Sequence, residues 1–147
     1  MKMIKRTREK YLRDIRARVG RSIKMENLHC RKDTELLIKY VVSFLPLKKI
    51  EYCEKLVAFH EHGKIKGRDE SNAVCVNMKV KEPEYFICLD SKFHRLNHKL
   101  RLGYIAHELG HVFGGSNPDK QPKVNEAAAN KFLEKYYLDN QDFKFKV

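Results

Sequence analysis

The chain has 147 residues, 42% hydrophobic and 34% charged, and 31 Lys and Arg against 19 Asp and Glu give it a formal net charge of +12. That length predicts one domain, residues 1–147, with enough chain to bury a core. No apolar run is long enough to span a bilayer, and no apolar stretch follows the charged N-terminus as a secretory signal requires, so the expectation is a cytoplasmic protein without a membrane partner.

The first third reads as helical. Tyr11, Leu12, Ile15 and Val19 give one apolar face to a basic helix near Ile4–Val19. Residues 1–24, a basic helix or arm, hold ten Lys and Arg against Glu9 and Asp14. Such a segment could touch nucleic acid or an acidic partner; it could equally be an amphipathic helix whose solvated face is basic, and no base-reading motif accompanies it. Asp33 or Thr34 caps a second helix that ends at Pro46, and Leu36–Leu45 is apolar nearly all round, as a central core helix is. Ile50–Phe59 suits a strand, although its Cys53, Leu56, Val57 pattern also fits a helix. His60-Glu61-His62 precedes Gly63 and the charged stretch Lys64–Asn72, and reads as a solvated hairpin or loop tip. Ala73–Val80 and Glu84–Leu89 are rich in β-formers, and Lys81-Glu82-Pro83 joins them as a hairpin. Cys30, Cys53, Cys75 and Cys88 lack C-x-x-C spacing and read as reduced thiols, although Cys75 and Cys88 could meet across the hairpin. His29, His94 and His98 are isolated and read as surface histidines.

The next element carries chemistry. Asn97 is an N-cap, Gly114-Gly115 is a stop, and Leu102, Ile105, Ala106, Leu109, Val112 and Phe113 recur at helical spacing. On the helix so predicted, Tyr104, His107 and His111 share another face, the wall of a cleft. His107-Glu108-Leu109-Gly110-His111 matches H-E-x-x-H. Positions i and i+4 lie one turn apart on one face, so both imidazoles can meet one metal ion, while Glu108, turned by about 100°, can reach a water beside it. Gly110 costs helix stability, and a small residue there lets a neighbouring strand or substrate come close. Two histidines are too few for a catalytic zinc, which takes three protein ligands and keeps one open position. The extended motif H-E-x-x-H-x-x-G-x-x-H would supply a third histidine; Gly114 is in register, but Asn117 stands at the last position, Asp119 follows two residues on, and every methionine lies upstream. The other source is a following helix. Pro122–Leu138 starts with proline and holds three consecutive alanines, and Glu126, Ala129, Asn130 and Leu133 share one of its faces. Glu126 then points at the metal, and Asn130, one turn on, is placed to hydrogen-bond a ligating histidine. The turn-rich link Gly114–Gln121 folds the two helices back on each other.

His107-Glu-Leu-Gly-His111 followed by Glu126-x-x-Ala129-Asn130-x-Phe132 resembles the ImmA/IrrE-type metallopeptidases, most clearly over Tyr85–Leu138. Ala128 stands where these proteins often have a second glutamate, and Leu133 where alanine is usual. The resemblance implies an α+β, zincin-like hydrolase domain: N-terminal helices, a short antiparallel sheet, then an active-site helix pair with its metal core over residues 85–138. It implies one zinc per chain held by His107, His111 and Glu126, with Glu108 as catalytic base. It also implies a phage or mobile-element protease whose substrate is a helix-turn-helix transcriptional repressor, itself a DNA-binding protein.

A zinc held there would supply a bound water with a pKa of roughly 7; Glu108 would take its proton and pass it to the leaving amine, and the oxyanion would need a further donor. Tyr104, His98, Tyr136 and Tyr137 are the candidates. The strand before the active helix is the candidate for binding substrate backbone by strand addition, at Glu84, Tyr85, Phe86 and Ile87; a plain structural strand is the equal alternative. A second function class remains, a basic nucleic-acid- or protein-binding module on the same scaffold without hydrolysis. Glu108 favours the enzyme, since a purely structural metal site has no use for a base there.

Overall fold

A computed structural model describes residues 23–63, 72–79, 82–114 and 122–144, with Lys10 and Arg13. Lys10 and Arg13 are helical and exposed; the rest of the basic segment expected near Ile4–Val19, the 64–71 stretch, Asn117 and Asp119 lie outside the described residues.

A two-residue strand, β1 (Leu28–His29), leads into helix α1 (Lys32–Val42), α2 (Leu47–Leu56), β2 (Val57–Gly63), the hairpin strands β3 (Ala73–Asn77) and β4 (Tyr85–Asp90), and finally α3 (His98–Phe113) and α4 (Pro122–Tyr136). The described part is thus mixed helix and sheet, as an α+β fold requires. Among the described residues no helix is long and apolar enough to cross a membrane.

Several boundaries differ from the sequence reading, each for a local reason. Ile50–Phe59 contains both of its candidate states: α2 ends at Leu56, and Val57 is already extended at φ −116° and ψ 122°. Helix α1 starts earlier, with Arg31 as its N-cap and no side-chain cap; Asp33 accepts instead from the Thr34 amide at 3.0 Å, inside the first turn. It stops at Val42, before Pro46, yet Leu37, Ile38, Val41 and Val42 are fully buried, so it is the central helix expected. His60-Glu61-His62 is no loop tip. It lies on β2, where alternation turns Val57, Phe59 and Glu61 inward.

The four-stranded sheet has the order β1-β2-β4-β3 and is mixed, which corrects the expected antiparallel sheet. Helices α1 and α2 return the chain from β1 to a parallel β2, and β2 pairs parallel with β4. Antiparallel pairing is confined to β3 and β4, the hairpin of the sequence reading. Tyr85, Ile87 and Leu89 are buried on the inner face of β4, and Leu102, Ile105 and Leu109 of α3 are buried in the same core. The hairpin register sets Cys75 opposite Ile87 and Cys88 opposite Val74, so the two thiols face opposite sides of the sheet, and all four cysteines are free.

Candidate metal centre

Helix α3 forms as its sequence demands. The Asn97 side chain accepts from the Leu100 amide at 2.9 Å, and Gly114 closes the last turn with its N–H on the Gly110 carbonyl at 2.8 Å. Leu102, Ile105, Ala106, Leu109 and Val112 are buried, while Tyr104, His107 and His111 sit half-buried on the other side.

The second helix lies very close. A Cβ added to Gly110 would fall 2.9 Å from the Ala129 carbonyl oxygen and 3.0 Å from its Cα; one added to Gly114 would fall 2.8 Å from the Ala128 Cβ. The glycine between the two histidines therefore admits another helix rather than a strand or substrate. Ala128 fills the second of these contacts. This approach brings the Glu126 carboxylate onto the histidine face.

Three donors converge there. His107 Nε2 and His111 Nε2 are 3.2 Å apart; Glu126 sets Oε2 at 3.2 Å from His107 Nε2 and Oε1 at 3.0 Å from His111 Nε2. Electron-rich atoms packed this closely repel unless a proton or a cation lies between them. Burial, and after it the neighbouring His107, pull the His111 pKa below its ordinary value, while Glu126 pulls it the other way. The net direction favours the neutral imidazole, which is the ligand form. Zinc bonds of about 2.0–2.1 Å at tetrahedral angles set donor atoms about 3.3 Å apart, close to what these side chains present. Among the described residues this is the one group of His, Cys, Asp or Glu able to hold a metal ion.

Glu108 projects elsewhere, 5% exposed beneath the histidine face. Burial first, and then the Glu108 charge, raise the thiol pKa of Cys75 on the inner face of β3, so the carboxylate is close to that strand. Asn130 lies one turn beyond Glu126 on the exposed side of α4. Ala129 takes the buried position, the next step around the helix leaves Asn130 exposed, and it makes no hydrogen bond to either histidine. The assignment of Glu84, Tyr85, Phe86 and Ile87 to strand addition is corrected. Tyr85, Phe86 and Ile87 are paired with β2 on one side and β3 on the other, and Glu84 exchanges backbone bonds with Leu56 and Met78, so no edge is open along them. The outer strands of the sheet are β1 and β3.

The oxyanion candidates also separate. Tyr137 is buried with its hydroxyl donating to the Val41 carbonyl at 2.7 Å. His98 lies nine residues from His107, about 13 Å along the helix, and Tyr136 ten from Glu126, about 15 Å. Tyr104 is one turn from His107 on the same face, and its oxygen accepts from Asn72 at 3.1 Å, leaving its proton to donate.

Sequence reasoning missed one polar group altogether. Arg101, on the buried side of α3, bonds to Asp33 and Thr34 of α1, and Thr34 bonds to Glu61 of β2. Its signal was available: Arg101, Ile105, Glu108 and Val112 share the stripe that faces the core, and a charge there needs a partner.

Compared with known proteins, no protein family, no curated protein and no solved structure matches this chain.

Proposed function

We propose that the chain is a zinc-dependent endopeptidase of the ImmA/IrrE, zincin-like type, acting on a protein substrate. One observation carries the reading: two imidazole nitrogens and a carboxylate from separate helices converge at 3.0–3.2 Å, with a second carboxylate, Glu108, one residue from the first ligand. His107, His111 and Glu126 would hold the ion, a donor set that leaves a position open. When bound, zinc supplies Lewis-acid chemistry, activating water and polarising the scissile carbonyl. Glu108 is the general base: it takes the proton of the attacking water and delivers it to the leaving amine. Tyr104 donates a hydrogen bond from its hydroxyl to the developing oxyanion. The outer strand β3, beside Glu108, takes an extended substrate by main-chain pairing. A helix-turn-helix repressor is the substrate this reading favours, with the basic residues 1–24 suited to meeting it on DNA.

The test is paired. Purified chain should carry about one zinc and cleave such a repressor at a single site. Glu108→Gln should keep the zinc and lower cleavage by about 10²–10⁴-fold. Undiminished turnover in that variant removes Glu108 from the mechanism, and a folded wild type that takes up no zinc defeats the metal reading itself.

A further inference from the structure

The two halves of the candidate metal centre ride on different helices. Gly110 and Gly114 seat Ala129 and Ala128 at close range, and Phe113 stacks on Phe132 with ring centroids 5.5 Å apart. Ridges and grooves ordinarily set how far one helix slides along another. Small residues offer shallow ridges, so ties to a third element add to what this contact fixes in the height of His107 and His111 against Glu126.

Both helices are tied to α1 by polar bonds of defined direction. On α3, the Arg101 guanidinium spans two successive residues of α1: Nη1 donates to Asp33 Oδ2 at 3.1 Å and Nη2 to Thr34 Oγ1 at 2.5 Å. The Thr34 hydroxyl donates in turn to Glu61 Oε2 at 2.8 Å, and Glu61 Oε1 accepts from the Arg31 amide at 2.9 Å. At the end of α4, Tyr137 donates to the Val41 carbonyl. Thr34 and Val41 are seven residues apart, two turns along one face of α1.

We infer that Arg101 and Tyr137 are positioning residues, and that α1 is the common gauge from which both helices of the metal centre take their axial register. The inference rests on the metal reading above and names what holds that site in shape. Stability alone is a poor account of the Arg101 group. Arg101 is 1% exposed and Glu61 2%, and Arg101 Nε is buried with no hydrogen-bond partner. A buried ionic group of this kind returns little over a well-packed apolar side chain. A planar fork adds direction: it accepts one alignment of α3 against Asp33 and Thr34 and penalises a slip. His107 lies six residues on, about 9 Å along the same rod, so a shift at Arg101 is carried to both histidines.

The experiment uses Arg101→Met, the near-isosteric Thr34→Val and Tyr137→Phe, with Leu36→Ala as a variant that lowers stability while touching neither tie. Two properties are read: the imidazole resonances of His107 and His111 in metal-free protein, and zinc affinity by chelator competition. Arg101→Met and Thr34→Val should shift both imidazoles and weaken zinc by about tenfold or more, with Tyr137→Phe doing so less. Leu36→Ala should lower the melting temperature and move neither. Unmoved resonances in the three variants, or equal movement in Leu36→Ala, overturn the gauge. If Arg101→Met does not fold, Thr34→Val and Tyr137→Phe decide. If folded wild type binds no zinc, the metal reading falls, and the resonances of the metal-free proteins still decide the gauge.

Discussion

Helix α3 carries two polar clusters on opposite sides, and water reaches them very differently. Thr34 and Arg101 are sealed in the core with Glu61, and Asp33, 29% exposed, is the member of that group that meets water. His107, His111 and Glu126 are 27%, 13% and 53% exposed. The sealed cluster cannot take in a ligand without opening the core. The open cluster can, and its carboxylate, more than half exposed, contributes little to folding as it stands. On the proposed reading, the sealed cluster holds elements in place and the open one, with three converging donors, binds an ion.

The sharpest way to break this comparison is to remove one member from the open side. Glu126→Ala should abolish stoichiometric zinc binding, because two histidines are too few for the site. It should also leave the melting temperature of the metal-free protein nearly unchanged, because the carboxylate is mostly in water. Asp119→Ala should keep its zinc. Retention of zinc by Glu126→Ala with loss in Asp119→Ala would transfer the third ligand to the segment after α3 and revive the extended motif.

A smaller effect is expected where the open cluster meets its framework. Gly110→Ala would set a Cβ 2.9 Å from a backbone oxygen of Ala129, which no side-chain rotation can relieve. Helix α4 must then retreat by a few tenths of an ångström. Overpacking costs about 1–3 kcal/mol, against a helix-propensity gain of about 1 kcal/mol for replacing glycine. The net result should be a lower melting temperature and weaker zinc binding together. A rise in stability would mean that the two helices are not held at this spacing in solution.

The open cluster was readable along the chain because its parts are local: His107 and His111 are one turn apart, and Glu126 opens the next helix. Asn97 and Gly114 bracket α3 for the same reason. What escaped depends on pairing between distant segments. The parallel partners of β2 follow from two intervening helices, and β4 becomes an inner strand only when β2 takes its second side. The alternation on β2 that buries Glu61 begins at Val57, inside a window whose first part is helical. Arg101 finds Asp33 and Thr34 across more than sixty residues, a match no local pattern announces.

The smallest effect concerns protons. His111 is held below its ordinary pKa of 6.5, by burial first and His107 second, while the unfolded chain has neither influence. Below 6.5 the unfolded state therefore binds more protons than the folded one, so stability rises with pH there. The contribution is complete above 6.5 and is lost as pH falls through the folded-state value. Denaturant midpoints of metal-free protein should fall on acidification from that point, and His111→Asn should flatten that part of the profile. The Glu126 charge opposes the depression, so Glu126→Gln should deepen it and steepen the loss. A profile indifferent to both changes would mean that the three groups do not face one another in solution, and the open cluster would then be two histidines and a carboxylate that merely share a surface.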